Sequence, residues 1–245
     1  SWQPDPEWTH LPPLNREDLP LLSACVEHRA WLASVEAFLH GERDMLPVIH
    51  HQCRFNAWLE NEDTLADPRH IEGGELRRFD RILTNPPFSI NWGNAEKNPD
   101  GTLAWAPKFP ERFRFGHVPL GAKKADLMFL QHMLAVTRDG GMIATVMPHG
   151  VLFRGGEEKT IRAGIIDADL LEAVISVAPN LFYGTGIPAC IIVIDKEDAH
   201  ARKGIFMMDA SSGYMKDGPK NRLREQDIHK IVDVFTKQIE DRKST

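Results

Sequence analysis

An α/β domain on a mainly parallel, doubly wound sheet is predicted by three features of the sequence. Two uninterrupted apolar runs, residues 142–147 and 189–194, have the length and composition of strands buried on both faces. Helix-like stretches alternate with the strands, as parallel neighbours require. A shorter strand, residues 79–84, stops at Asn85-Pro86-Pro87, and doubly wound sheets place their ligands beyond such carboxyl ends.

Each element follows from local chemistry. Residues 1–20 contain Pro4, Pro6, Pro12, Pro13 and Pro20, too many for regular structure, and read as an extended arm. Apolar spacing predicts helices over 21–39 and 46–59. The division expected is an extended and helical segment over 1–45, then one α/β domain over 46–245 with an irregular insertion at about 92–121. A helix is expected over 125–137, with Arg138 complementing its dipole and Gly140 or Gly141 capping it. Further helices fit 157–166 and 225–239, and further strands 171–177 and 205–208.

Composition narrows the function classes. The chain has 245 residues, 42% hydrophobic and 26% charged, which is globular and not disordered. No apolar run reaches the roughly 18 residues of a membrane span, and residues 1–5 do not begin a signal peptide. Cys25, Cys53 and Cys190 are odd in number and widely spaced, which argues against a disulfide framework or zinc site. A cytoplasmic protein is the expectation. A net charge of -6 is unusual for a protein that grips nucleic acid unaided, so any such surface must be local or supplied by another subunit.

The turn Asn85-Pro86-Pro87-Phe88 carries the chemistry. The Asn85 amide oxygen and the Pro86 carbonyl are acceptors, and the two prolines stiffen the turn while removing two backbone donors. Phe88 adds a π-face. Two convergent acceptors beside an aromatic ring suit a planar base with an exocyclic amino group. The competing reading is an ordinary Pro-rich turn after a strand.

Residues 79–88, Phe-Asp-Arg-Ile-Leu-Thr-Asn-Pro-Pro-Phe, resemble the catalytic motif of amino-methyltransferases that use S-adenosylmethionine. The series resembles, more specifically, the modification (methylase) subunit of type I restriction–modification systems, which methylates adenine N6 in DNA. Asn61-Glu62-Asp63-Thr64-Leu65, Ala125-Asp126-Leu127, Met147-Pro148-His149-Gly150-Val151, Gly155-Gly156-Glu157 and the segment 180–188 follow in that family's order. The resemblance spans roughly residues 50–240. It implies a methyltransferase-like (Rossmann-like) fold and S-adenosylmethionine as cofactor. Asn85, Pro86, Pro87 and Phe88 would be catalytic, Asp63 would bind the cofactor's adenine, and Phe182 or Tyr183 would stack on the flipped base. It implies DNA, a specificity subunit and a restriction subunit as partners. One departure stands out: residues 1–50 contain a single glycine, Gly41, so the family's Gly-x-Gly cofactor loop is absent from the stretch where it belongs. The expectation is a domain incomplete at its amino terminus, either a fragment or a degenerate relative.

The remaining candidates have plainer alternatives. Asp63 can equally cap a turn. His50, His51, His117 and His149 form no metal-ligand grouping, so no metal is expected. Cys190 lies in an apolar run and reads as an inert core thiol, and amino methylation needs no covalent nucleophile. In the insertion, Lys97, Lys108, Arg112, Arg114, Lys123 and Lys124 outnumber Glu96, Asp100 and Glu111, and aromatic residues are interleaved with them. Lys108, Arg112 and Arg114 are therefore candidate DNA-binding residues, against the alternative of a loop folded onto its own aromatic cluster. Two further functions remain open: a non-catalytic methyltransferase-like binding or assembly module, and an amino-methyltransferase acting on RNA or protein.

Overall fold

The computed structural model describes residues 63–182 and 186–237. The arm over 1–20, the two helices expected before residue 60, Tyr183 and residues 238–239 of the helix expected over 225–239 lie outside them.

The described chain opens with a small hairpin, β1 (Ile71–Glu72) and β2 (Glu75–Leu76), and enters the main sheet at β3 (Phe79–Thr84). After the insertion come α1 (Asp126–Val136), β4 (Thr137–Pro148), α2 (Glu157–Asp167), β5 (Leu171–Ser176), β6 (Ala189–Asp195) and β7 (Phe206–Asp209). A second hairpin, β8 (Met215–Asp217) with β9 (Lys220–Arg222), precedes α3 (Glu225–Lys237).

The main sheet has the order β3-β4-β6-β5-β7. β3 pairs parallel with β4, and β5 with β7, while β6 runs antiparallel to both of its neighbours, β4 and β5. Four strands thus share one direction, and the exception is the central strand. Periodicity is blind to direction, because a strand buried on both faces is apolar whichever way it runs. The direction was nonetheless signalled: Pro179, Gly184, Gly186 and Pro188 leave no room for a crossover helix between β5 and β6.

Alternation along the buried runs divides the core into two layers. Ile143, Met147, Cys190, Ile192 and Ile194 face α1 and α2. Ala144, Val146, Ile191 and Val193 face the other side, where Leu223 and the α3 residues Ile228 and Ile231 cover them. Both faces are therefore dry, as a doubly wound sheet demands.

The end of α1 differs from expectation. Neither glycine caps it. The Thr137 hydroxyl donates to the Met133 carbonyl at 2.6 Å, and the Lys196 ammonium donates to the carbonyls of Leu134 and Thr137 at 2.9 and 2.6 Å. A cation delivered from the end of β6 satisfies orphan carbonyls that the local sequence leaves open. Arg138 instead pairs with Asp80 at the start of β3, at 2.9 Å. Gly140 (φ 74°) turns in a bulge between the Phe79–Thr137 and Arg81–Met142 pairs, so β4 begins before the apolar run does.

Among the described residues, no helix is long and apolar enough to cross a membrane.

Candidate active site

The turn over 85–88 leaves the carboxyl end of β3 beside β4. Its root is fixed by the Thr84 hydroxyl, which lies 2.8 Å from Thr145 Oγ1 and 3.3 Å from the Met133 sulfur. Asn85 and Pro87 are exposed, Pro86 is buried and Phe88 is half-buried. Among the described residues neither the Asn85 amide nor the Pro86 carbonyl has a hydrogen-bond partner. Both acceptors are therefore unengaged within the described residues.

Phe182 meets Phe88 edge to face, with ring centroids 6.3 Å apart and an interplanar angle of 68°. The β8–β9 hairpin holds that partner in place. The Asn221 amide donates to the Pro179 carbonyl at 2.6 Å, its backbone N–H donates to the Asn180 carbonyl at 3.0 Å, and Lys220 Nζ donates to the Phe182 carbonyl at 2.7 Å. Asn221 is buried, and Leu223 anchors the hairpin in the core beneath α3. Two aromatic residues 94 positions apart in sequence thus share one wall beside Asn85.

The turn is gripped from behind by a network that sequence reasoning did not single out. Ser89, in the left-handed region at φ 54°, donates its backbone N–H to Asp126 Oδ1 at 2.8 Å. Asp126 Oδ2 accepts from Arg154 Nη1 at 3.0 Å, and the same guanidinium nitrogen donates to Glu158 Oε1 at 3.1 Å. Both carboxylates are 1% exposed, so the charge between them is what makes their burial tolerable. Burial opposes the Arg154 charge, but its bonds to Asp126 and Glu158 outweigh that and hold its pKa above the ordinary value. The guanidinium lies against Gly150, where any Cβ would overlap it. The available signals were the Arg154–Glu158 spacing of four and a glycine four residues before the arginine.

Asp63 is exposed, and its Oδ1 accepts the N–H groups of Leu65 and Ala66, both at 3.0 Å. That is a turn-capping role, and it leaves the second carboxylate oxygen for any cofactor contact. Cys190 is fully buried, and burial pushes its thiol up to about 12, as an inert core cysteine requires. Among the described residues no group of three His, Cys, Asp or Glu side chains gathers.

The insertion requires a correction. Arg112 is 3% exposed and cannot meet DNA phosphate. Its guanidinium donates to the carbonyls of Thr64, Leu65, Lys108 and Phe109 at 2.6–3.0 Å and lies 2.7 Å from His132 Nδ1. Four carbonyls converging in a dry site demand a multidentate donor, and an arginine is the side chain that supplies one. The aromatic residues also turn inward: Trp92, 2% exposed, packs edge to face with Trp105 and Phe113 at 4.9 and 4.7 Å. Gly93 (φ 54°) supports the Trp105 ring where a side chain would collide with it. The loop closes at its stem through Trp92 N–H to Ala122 O and Gly121 N–H to Trp92 O. Lys108 and Arg114 remain on the surface, Lys108 paired with Asp67 at 2.6 Å and Arg114 stacked on Phe115.

The described domain is thus a mixed α/β sheet with an Asn-Pro-Pro-aromatic turn at the carboxyl end of β3. The sequence model of N-6 DNA methylase matches residues 34–245, and the chain belongs to that family. It is 31% identical over 199 residues to the type I restriction enzyme MpnII methylase subunit of Mycoplasma pneumoniae, covering 79% of this chain and 35% of that protein. It is 35% identical to the MjaVII methylase subunit of Methanocaldococcus jannaschii, covering 71% and 29%. The type I methyltransferase subunit of Streptococcus thermophilus superposes with a TM-score of 0.64 at 32% identity, over 77% of this chain and 38% of that one. The chain thus spans about a third of the length of the relatives it matches.

Proposed function

We propose that this chain forms the target-base site of a DNA adenine-N6 methyltransferase, the modification subunit of a type I restriction–modification system. The observation that carries the reading is the pair of acceptors without partners among the described residues, Asn85 Oδ1 and the Pro86 carbonyl, in the turn that carries Phe88 and its contact with Phe182. The similarity to type I methylase subunits supports DNA as substrate and specificity and restriction subunits as partners, and the cytoplasm is the location this reading assigns to it.

S-adenosylmethionine, when bound, supplies the methyl group on a positively charged sulfur. Of the described residues, Asp63 fits that cofactor, as an exposed carboxylate able to accept from its adenine amino group. The protein's own part is on the substrate side. A flipped adenine stacks on Phe88, whose ring is held edge to face by Phe182 on the same wall. Asn85 and the Pro86 carbonyl accept the two N6 hydrogens and draw the nitrogen lone pair out of conjugation with the ring. These bonds strengthen as positive charge grows on N6, so they stabilise the transition state more than the ground state.

The test is transfer of labelled methyl from S-adenosylmethionine by the full-length protein carrying this chain, with its specificity subunit. Unmodified DNA, RNA and protein are offered in parallel. N6-methyladenine in DNA is the expected product. Label appearing only in RNA or protein would overturn the substrate class, and no cofactor binding would favour a non-catalytic assembly module.

A further inference from the structure

The turn that presents Asn85 and Phe88 has a shortage of handles. Pro86 and Pro87 carry no N–H, so the rest of the protein cannot grip the turn through those two backbone positions. The grip comes immediately afterwards, from the start of α1. Ser89 N–H reaches Asp126 Oδ1 at 2.8 Å, and the Ala125 N–H donates to the Ile90 carbonyl at 3.2 Å. Ser89 is held at φ 54°, a conformation that L-residues seldom adopt unless their surroundings impose it.

Asp126 is in turn not free to move. Its other oxygen is tied to Arg154, which is tied to Glu158 on α2, and the guanidinium that joins them lies against the backbone of Gly150 after β4. Arg162 Nη1 donates to the carbonyls of Val151 and Arg154 at 2.9 and 3.0 Å and fixes the segment that carries the guanidinium. One chain of charge-assisted bonds therefore runs from α2, through the turn after β4 and the first residue of α1, to the residue adjoining Phe88. A carboxylate that merely capped α1 would need neither a backbone donor from another loop nor a buried cation.

We propose that Asp126 is a positioning residue for methyl transfer, an inference that rests on the methylation reading above. Locked by Arg154, its carboxylate sets the distance and tilt of residues 85–88 relative to the sheet end. The acceptors of Asn85 and Pro86 then meet the flipped base without first having to be ordered. Asp126 touches neither substrate nor cofactor, so its removal acts on kcat far more than on substrate binding.

The experiment compares the full-length protein with Asp126→Ala, Asp126→Asn and Asn85→Ala, measuring kcat, KM for both substrates and hydrogen exchange at the Ser89 amide. Asp126→Ala should lower kcat by about 100-fold, the scale of a 1 Å misplacement, leave both KM values little changed, and strip the Ser89 amide of protection. Asp126→Asn keeps one acceptor oxygen for Ser89 but turns its NH2 toward Arg154, donor against donor, so it should recover the Ser89 protection and kcat only in part, between the alanine variant and the parent. If Asp126→Ala does not fold, the asparagine variant and the parental Ser89 exchange decide the question. A parental kcat in Asp126→Ala, an unprotected Ser89 amide in the parent, or an asparagine variant with an intact amide but no recovered turnover would overturn the inference. In those cases a parent that methylates adenine and loses that activity in Asn85→Ala leaves the methylation reading standing. A parent that transfers no methyl to adenine removes both.

Discussion

The turn over 85–89 and the insertion over 92–121 leave the same strand and are only a few residues apart, yet they use polar and aromatic residues in opposite ways. In the turn, Asn85 and the Pro86 carbonyl are left without partners among the described residues, and the partnered groups lie behind them. In the insertion, Arg112, Trp92 and Phe113 are engaged in internal contacts, and the loop becomes part of the core over α1. Cations and aromatics in a loop look the same in a sequence whether they serve a ligand or the loop itself. What separates the two regions is backbone demand: the insertion has converging carbonyls to satisfy, while the prolines of the turn relieve it of donors.

That contrast can be broken most sharply at Asn85. Asn85→Ala should reduce turnover by roughly 10²–10³-fold, as loss of one preorganised transition-state partner does elsewhere, with the thermal midpoint unchanged. A large drop in midpoint would make the turn structural, like the insertion. Arg112→Ala should do the reverse. Removing the guanidinium strands several buried carbonyls and should destabilise the fold by about 3 kcal/mol, measured by denaturant titration, while the folded fraction keeps its DNA affinity.

His132 supplies a pH test of the same dry junction. Burial, reinforced by Arg112 and then by His70, pushes its pKa from 6.5 down to about 3. Nδ1 faces the guanidinium at 2.7 Å and so acts as the acceptor of the neutral ring. The unfolded chain binds a proton below pH 6.5 that the folded chain refuses until about pH 3. The stability contribution is complete above 6.5 and is lost progressively as pH falls through that window. His132→Gln keeps an acceptor but does not titrate, so it should flatten this part of the stability–pH curve. An unchanged curve would mean that the histidine is open to water.

The smallest expected effect sharpens the comparison at the surface. Lys108 and Arg114 are the members of the candidate DNA-binding set that remain exposed. Replacing both with Ala should weaken DNA binding similarly across sequences and flatten the log–log salt slope by about one unit for each phosphate that is no longer neutralised. Equal slopes would show that the whole insertion is scaffold.

Much of this was legible in one dimension. The strand before Asn85, the runs around Ile143 and Ile192, and the helices that became α1, α2 and α3 are written in apolar spacing, because burial on a face imposes a period of neighbouring residues. The candidate chemistry of Asn85 through Phe88 is also read from the sequence, because acceptors, missing donors and ring all lie within four residues and need no fold to bring them together. The cap that Lys196 places on α1, the burial of Arg112, the Phe88–Phe182 wall and the Ser89–Asp126–Arg154 clamp were decided only by tertiary structure. Most of these join groups far apart in the chain, and whether a charge or ring turns inward depends on which distant carbonyls and side chains arrive beside it.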